Sequence, residues 1–111
     1  MPNPIFSFGT LQLEQVQRSL FGRSVPTTPD TLQGFAIGET RITDPEAIAA
    51  SGTDLHPALI ETGGADDVVP GAILAVTDEE LAVADHYERV SFRRIPVVLA
   101  SGTEAWAYLP K

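Results

Sequence analysis

The sequence contains no cysteine and few basic residues. Without cysteine among its 111 residues, the chain cannot form a disulfide scaffold, a thiolate zinc site or a cysteine nucleophile. Seven basic residues stand against 15 acidic ones, which gives a net charge of −8. Nucleic acids and anionic membrane surfaces both attract basic faces, and this chain cannot easily supply one. We therefore expect neither nucleic acid nor membrane as a partner.

Long hydrophobic runs are also missing. No apolar stretch approaches the roughly 18 residues that span a bilayer, and the first residues lack the basic and apolar regions of a signal peptide. Hydrophobic residues still make up 43% of the chain, enough for one packed core. We therefore expect a single domain over residues 1–111, located in the cytoplasm.

Short strands dominate the predicted secondary structure. Segment 25–30 resembles a loop, and helices are predicted at 13–21, 45–50 and 77–88 from apolar spacing, caps and terminal glycines. Strands are predicted at 5–8, 31–42 (a bent strand or one arm of a hairpin), 56–60, 68–76 (with a bulge at 70–71), 92–99 and 103–109. This order indicates an α+β domain with a curved mixed sheet or a small barrel.

The late helix carries the most informative acidic residue. Thr77 and Glu80 form a capping box that begins this helix. Leu81, Ala84 and Glu88 share one face, which we expect to face the core. Burial and the negative end of the helix dipole both raise the pKa of an inward-facing carboxyl. The pattern therefore makes Glu88 a candidate general acid-base residue.

An ion pair is the simpler alternative for Glu88. Arg89, Arg93 and Arg94 follow closely in the sequence, and any of them could neutralise the carboxylate. Spacing alone favours this alternative.

The segment Phe8-Gly9-Thr10-Leu11 lies where the first strand gives way to a helix. Free main-chain N–H groups at such a point form an anion site suited to a carboxylate. Gly9 permits close approach and unusual backbone dihedrals. The alternative is an ordinary connection in which Thr10 is the N-cap of the helix.

Other polar residues give weaker signals. His86 and Glu88 are two positions apart on a helix and point in different directions, and His56 is distant in the sequence, so we expect no metal site. Trp106 and Tyr108 alternate on the last strand and are most simply core or rim aromatics.

The order of several short segments resembles the γ-glutamylcyclotransferase-like family, which includes γ-glutamylamine cyclotransferases and plant avirulence-induced proteins. That family shows a YGTL or YGSL loop, a YPA-type strand, a V-x-G-x-(L/V) strand, an LDxYE helix end and a YxR strand. The matching segments cover nearly the whole chain and are Phe8-Gly9-Thr10-Leu11, His56-Pro57-Ala58-Leu59, Val69-Pro70-Gly71-Ala72-Ile73-Leu74, Thr77-Asp78-Glu79-Glu80-Leu81, Asp85-His86-Tyr87-Glu88 and Phe92-Arg93-Arg94.

The resemblance implies a small mixed β-barrel flanked by helices, with a cavity between the loop and the helix end. It implies that Glu88 transfers protons and that the main-chain N–H groups of Phe8, Gly9, Thr10 and Leu11 hold the α-carboxylate of the substrate. The reaction implied is attack of a γ-glutamyl group's α-amine on its own γ-carbonyl, which releases 5-oxoproline and an amine or amino acid. It implies a small-molecule γ-glutamyl substrate and no cofactor.

Two positions depart from the family pattern. Phe8 and Phe92 stand where the family usually has tyrosine, so two hydroxyls are missing. Asp85 is retained, and it could serve only to fix a backbone or arginine partner. One alternative is therefore a non-catalytic module that binds a small metabolite or a protein; another is an amide hydrolase in which Glu88 activates water.

Overall fold

The computed structural model describes residues 3–111, apart from the side chains of residues 10, 47, 50 and 51. Over this range the chain forms seven strands, three α-helices and one 3₁₀ turn. The strands are β1 Asn3–Ser7, β2 Thr27–Gln33, β3 Phe35–Arg41, β4 Leu55–Glu61, β5 Val68–Val76, β6 Phe92–Val98 and β7 Glu104–Pro110. The helices are α1 Glu14–Phe21, α2 Pro45–Ser51 and α3 Asp78–Glu88, and the 3₁₀ turn is Thr10–Gln12.

The strands form a five-stranded mixed sheet and a separate two-stranded ribbon. The sheet has the order β2-β5-β1-β7-β6, in which only the β1–β7 pair is parallel, and the ribbon pairs β3 with β4. The predicted α+β class is confirmed. The sheet does not close into a barrel: Gly34, with φ of 82°, ends β2, and the chain then enters the ribbon. Within residues 3–111 the edges β2 and β6 do not pair with each other.

The core lies on both faces of the five-stranded sheet. Because side chains alternate along a strand, Phe6 points to one face and Ile5 to the other. The ribbon-side cluster contains Phe6, Leu32, Phe35, Leu59, Val69, Val97, Leu99, Ala105, Ala107 and Leu109. The helix-side cluster contains Ile5, Leu11, Val25, Leu74, Val76 and Ala84, with α1 and α3 packed over it through Val16, Leu20, Phe21 and Leu81. The sheet is thus covered by the ribbon on one face and by two helices on the other.

The helix signals in the sequence are confirmed. The Thr77 hydroxyl accepts from the N–H of Glu80, and the Glu80 carboxylate accepts from the N–H of Thr77. Helix α1 ends at Gly22, whose φ of 73° is accessible to glycine at little cost. Asp44 caps α2, with Pro45 at its first position.

The segment predicted as a loop at 25–30 is partly wrong, because β2 already begins at Thr27. Pro29 made this stretch look unlike a strand. Strand β2 lies at the edge of the sheet, however, and an edge strand can accept a residue without an N–H donor.

The bulge predicted at Pro70–Gly71 is also wrong. Thr31 pairs with Pro70 and Asp30 with Gly71 in an unbroken register. A Cβ on Gly71 would lie 2.5 Å from the carbonyl oxygen of Ser7 and 2.7 Å from the ring of Phe6. The glycine therefore allows the end of β1 to approach β5 closely, which places the segment that follows Ser7.

Candidate active site

Glu88 occupies the last turn of α3 and is half-buried on the helix side of the sheet. Burial raises the pKa of its carboxyl from 4.5 to about 7. Among the described residues, no ion pair joins Glu88 to Arg89, Arg93 or Arg94. The Arg89 guanidinium instead donates to the carbonyl oxygen of His86 at 2.6 Å. The ion-pair alternative is therefore wrong, and the carboxyl is poised to exchange a proton near neutral pH.

Asp85, one turn before Glu88, anchors a set of polar contacts. Its Oδ1 accepts from the hydroxyl of Tyr108 at 2.7 Å and lies 3.4 Å from Nε of Arg94. The register of β6 and β7 pairs Arg94 with Tyr108, which brings both side chains to the helix side. Asp85 thus has the arginine partner that the sequence allowed, together with a tyrosine hydroxyl.

Arg94 is held by an aromatic ring as well as by Asp85. Its guanidinium carbon lies 4.3 Å from the centroid of Trp106. Its Nη1 is buried and has no hydrogen-bond partner within residues 3–111. Stacking and the carboxylate therefore fix the guanidinium, while one of its nitrogens is left unpaired.

The phenol of Tyr108 is strongly biased toward its neutral form. Burial, the hydrogen bond to Asp85 and the negative charge of Asp85 raise the pKa of Tyr108 far above its ordinary value. Glu88 adds to the rise and Arg94 opposes it, so both charges act on the hydroxyl. The hydroxyl accordingly stays protonated at neutral pH.

Sequence reasoning missed Tyr108, Arg94 and Trp106 as members of this site. The alternation of Trp106 and Tyr108 on β7 placed both on one face, but it did not show which face. The register of β6 against β7 would have supplied the missing information, since it sets Arg94 opposite Tyr108.

The loop predicted to bind a carboxylate connects β1 to the 3₁₀ turn. Gly9 donates its N–H to Oγ of Ser7 at 3.2 Å. The φ of Gly9 is not positive, so the loop does not adopt the left-handed backbone that a glycine permits. A Cβ at Gly9 would meet no atom within 4 Å, so the main chain here borders open space. The alternative in which Thr10 is the N-cap of the helix is wrong, because α1 has Leu13 as its N-cap.

A buried glutamine fixes the end of this loop. Gln17 is only 2% exposed. Its Nε2 donates to the carbonyl oxygen of Leu11 at 2.9 Å, and its Oε1 accepts from the N–H of Val25 at 2.8 Å. The side chain thereby ties the loop to the segment before β2. Sequence reasoning did not single out Gln17, because its partners are main-chain groups that carry no residue signature.

The end of the loop and the Glu88 helix meet on the same side of the sheet. Leu11 belongs to the helix-side cluster with Ala84, and Tyr108 packs against that cluster. The ring of Phe8, in contrast, packs against the ribbon-side cluster. The structure therefore brings Leu11 near the face of α3 that carries Glu88 and turns the Phe8 side chain away.

Glu88 does not line either of two surface hollows in the described part of the chain. One is lined by Leu13, Glu14, Gln15 and Arg18, and the other by Pro4, Pro96, Val97, Val98, Glu104, Ala105 and Trp106. The cavity expected between the loop and the end of α3 stays a prediction.

Residues 3–111 contain no group of three or more His, Asp or Glu side chains placed to hold a metal ion. No helix in this part of the chain is long and apolar enough to cross a membrane.

Comparison with known proteins identifies the family. The family model described as Gamma-glutamyl cyclotransferase, AIG2-like matches residues 5–111. The chain belongs to this family. The resemblance seen in the sequence motifs is thereby confirmed, whereas no curated protein gives a significant match.

Solved structures share the fold of this γ-glutamyl cyclotransferase, AIG2-like chain. A solution structure from Arabidopsis thaliana has a TM-score of 0.77 and 17% identity, over 99% of this chain and 62% of that one. A protein named gamma-glutamyl cyclotransferase has a TM-score of 0.73 and 16% identity, over 100% and 68% of the two chains. An uncharacterised protein from Homo sapiens has a TM-score of 0.66 and 17% identity, over 99% and 67%. The chain thus spans about 62% of the length of the first of these proteins, and at such identities the likeness concerns the fold alone.

Proposed function

We propose that the protein is a γ-glutamyl cyclotransferase with Glu88 as its general base. It acts on a γ-glutamyl amine or γ-glutamyl amino acid and releases 5-oxoproline. One observation carries the proposal: Glu88 is half-buried without an arginine partner in the described chain, and burial raises its pKa to about 7. Membership of the family supports the reaction class.

The reaction needs a base because the substrate's α-amine is an ammonium at neutral pH. The ionised Glu88 carboxylate accepts a proton from this ammonium, and the free amine attacks the γ-carbonyl carbon of the same molecule. The new C–N bond closes a five-membered ring and the bond to the leaving amine breaks. Glu88 passes the first proton to that amine and then carries the second proton to it from the ring nitrogen, so the ring nitrogen ends as an amide and the amine leaves as an ammonium. Because the attack is intramolecular, holding the substrate in a folded conformation supplies much of the acceleration.

The loop from Phe8 to Leu11 provides the carboxylate site in this proposal. Its main-chain N–H groups face the α-carboxylate, and the open space at Gly9 lets that group approach. The N–H of Gly9 donates to the neutral Ser7 hydroxyl in the unbound protein. A carboxylate is a stronger acceptor than a hydroxyl, so the substrate takes over this bond.

The test is incubation of the purified protein with a panel of γ-glutamyl amines and amino acids, followed by mass spectrometry for 5-oxoproline. Removing a general base lowers the rate by about 100-fold or more, so we expect Glu88→Gln to lose that activity. Glu79→Gln, an exposed position in the first turn of the same helix, is the matched control. Turnover that survives in Glu88→Gln would remove Glu88 from the mechanism.

A non-catalytic binding module is the second candidate. It is favoured by the two tyrosine hydroxyls of the family pattern that Phe8 and Phe92 lack. A ligand that raises the melting temperature and is recovered unaltered would support it. An amide hydrolase, the third alternative, is separated by its product, because hydrolysis gives glutamate rather than 5-oxoproline.

A further inference from the structure

Asp85 and Glu88 lie three residues apart on α3 and so share one face of the helix. The Tyr108 hydroxyl reaches that face from β7, 2.7 Å from Oδ1 of Asp85. The helix spacing and this contact together bring the phenolic oxygen to the face of α3 that carries Glu88, close enough for the charge of Glu88 to act on the phenol.

The contact with Asp85 also decides how the phenol can bond. An ionised carboxylate has no proton to give, so Tyr108 must be the donor in this pair. Its single O–H is then used, and the oxygen's remaining lone pairs can only accept. Arg94, stacked on Trp106 and 3.4 Å from the same Oδ1, pairs with this carboxylate and so holds it in place.

We infer that Tyr108 is a substrate-binding residue whose oxygen, kept as an acceptor by Asp85, holds the α-ammonium of the γ-glutamyl group against Glu88. This inference rests on the proposed function. It assigns two hydrogen-bond acceptors, Glu88 and Tyr108, to the α-ammonium. The ammonium gives its proton to Glu88, while a second N–H donates to Tyr108 and orients the nitrogen. Asp85 and Arg94 are positioning residues, because they act through Tyr108.

The two acceptors predict that the protein binds a γ-glutamyl group with a free α-amine more tightly than one whose α-amine is acylated. An acylated amine carries no charge and has one N–H, so it cannot satisfy both acceptors. In Asp85→Asn the amide can donate to the phenolic oxygen, which frees the O–H to point at the ammonium and repel it. Asp85→Asn should therefore impair ammonium binding much as Tyr108→Phe does, although it keeps the shape of the side chain.

The test measures binding without turnover. L-Methionine sulfoxide carries an S=O oxygen where the substrate has its γ-carbonyl, and it has no acyl carbon to attack. We expect the wild-type protein to bind it at least about tenfold more tightly than N-acetyl-L-methionine sulfoxide in NMR titrations, a difference of about 1.4 kcal/mol. Tyr108→Phe and Asp85→Asn should each abolish this preference, and the double variant should be no worse than either single one. Asp78→Asn, the same substitution at an exposed position of α3, should keep it.

Each result bears on the inference. A preference that persists in a folded Tyr108→Phe or Asp85→Asn variant would overturn it, as would a wild-type protein that binds neither compound. The 5-oxoproline assay on the same samples separates the two proposals. Selective binding without any 5-oxoproline would refute the cyclotransferase and keep the ammonium site. Release of 5-oxoproline together with an unchanged binding preference in both variants would support the cyclotransferase and refute the ammonium site.

Discussion

The hydroxyl of Tyr108 lies 2.7 Å from Oδ1 of Asp85 and ties β7 to α3 one turn before Glu88. The same oxygen of Asp85 faces Arg94 on β6, so one carboxylate connects the helix to two neighbouring strands. Glu88 therefore projects from a helix end that is held on the sheet, and its half-buried environment is a fixed property of the fold.

The raised pKa of Glu88 predicts that its ionisation opposes folding. Between pH 4.5 and about 7 the folded protein keeps a proton that the unfolded chain has lost, so stability falls as the pH rises through this window. The full penalty, about 3 kcal/mol, is reached above pH 7. Glu88→Gln removes it, so urea unfolding should show the variant more stable than wild type at pH 8 and similar to it at pH 4.

Glu79→Gln is the matched control for this effect, because Glu79 is exposed in the first turn of the same helix. The difference in the free energy of unfolding between Glu79→Gln and wild type should not increase between pH 4 and pH 8. If the free energy of unfolding of Glu88→Gln parallels that of wild type from pH 4 to 8, then ionisation of the Glu88 carboxyl does not destabilise the folded protein.

Gln17 should be the polar side chain on which the loop most depends. Gln17→Ala leaves the carbonyl of Leu11 and the N–H of Val25 without their partner. Each buried polar group without a hydrogen bond costs about 1–3 kcal/mol. We expect a loss of about 2–4 kcal/mol in chemical denaturation. Gln15→Ala, at an exposed position of α1, should change stability by less than about 0.5 kcal/mol. Equal effects of the two substitutions would show that Gln17 does not fix the loop.

Two glycines should respond to alanine in opposite ways. At Gly71 the methyl group meets the Ser7 carbonyl and the Phe6 ring, so Gly71→Ala should cost about 1–3 kcal/mol in denaturant unfolding. At Gly9 the methyl group meets nothing, so Gly9→Ala should leave stability nearly unchanged. The same methyl group occupies the space assigned to the carboxylate, and we expect it to lower the rate of 5-oxoproline release. Unimpaired turnover in Gly9→Ala would argue against the loop as the carboxylate site.

Local signals predicted the elements around Glu88 well. Thr77 and Glu80 are three residues apart, so their capping box is a property of the sequence itself. The spacing of Leu81, Ala84 and Glu88 likewise defines one helix face, and the structure buries Ala84 fully. These features depend on neighbours within a few residues along the chain.

Contacts between distant segments could not be predicted in the same way. The partner of Tyr108 lies 23 residues away in the sequence, and only the packing of α3 on β7 brings the pair together. Pro29 fits into β2 because this strand lies at the edge of the sheet, and Gly71 is needed because β1 approaches β5 closely. Both reasons follow from the order of the strands in the sheet. Sheet order is a long-range property that spacing alone does not contain.

Titration of the Glu88 carboxyl tests whether this side chain can act as the base. Carbon-detected NMR of protein labelled with ¹³C at the glutamate side-chain carboxyl, with Glu88→Gln to assign the resonance, gives its pKa without reference to any substrate. We expect a midpoint of about 7. A midpoint near the ordinary value of 4.5 would mean that the carboxyl is solvated and would contradict its role as the base.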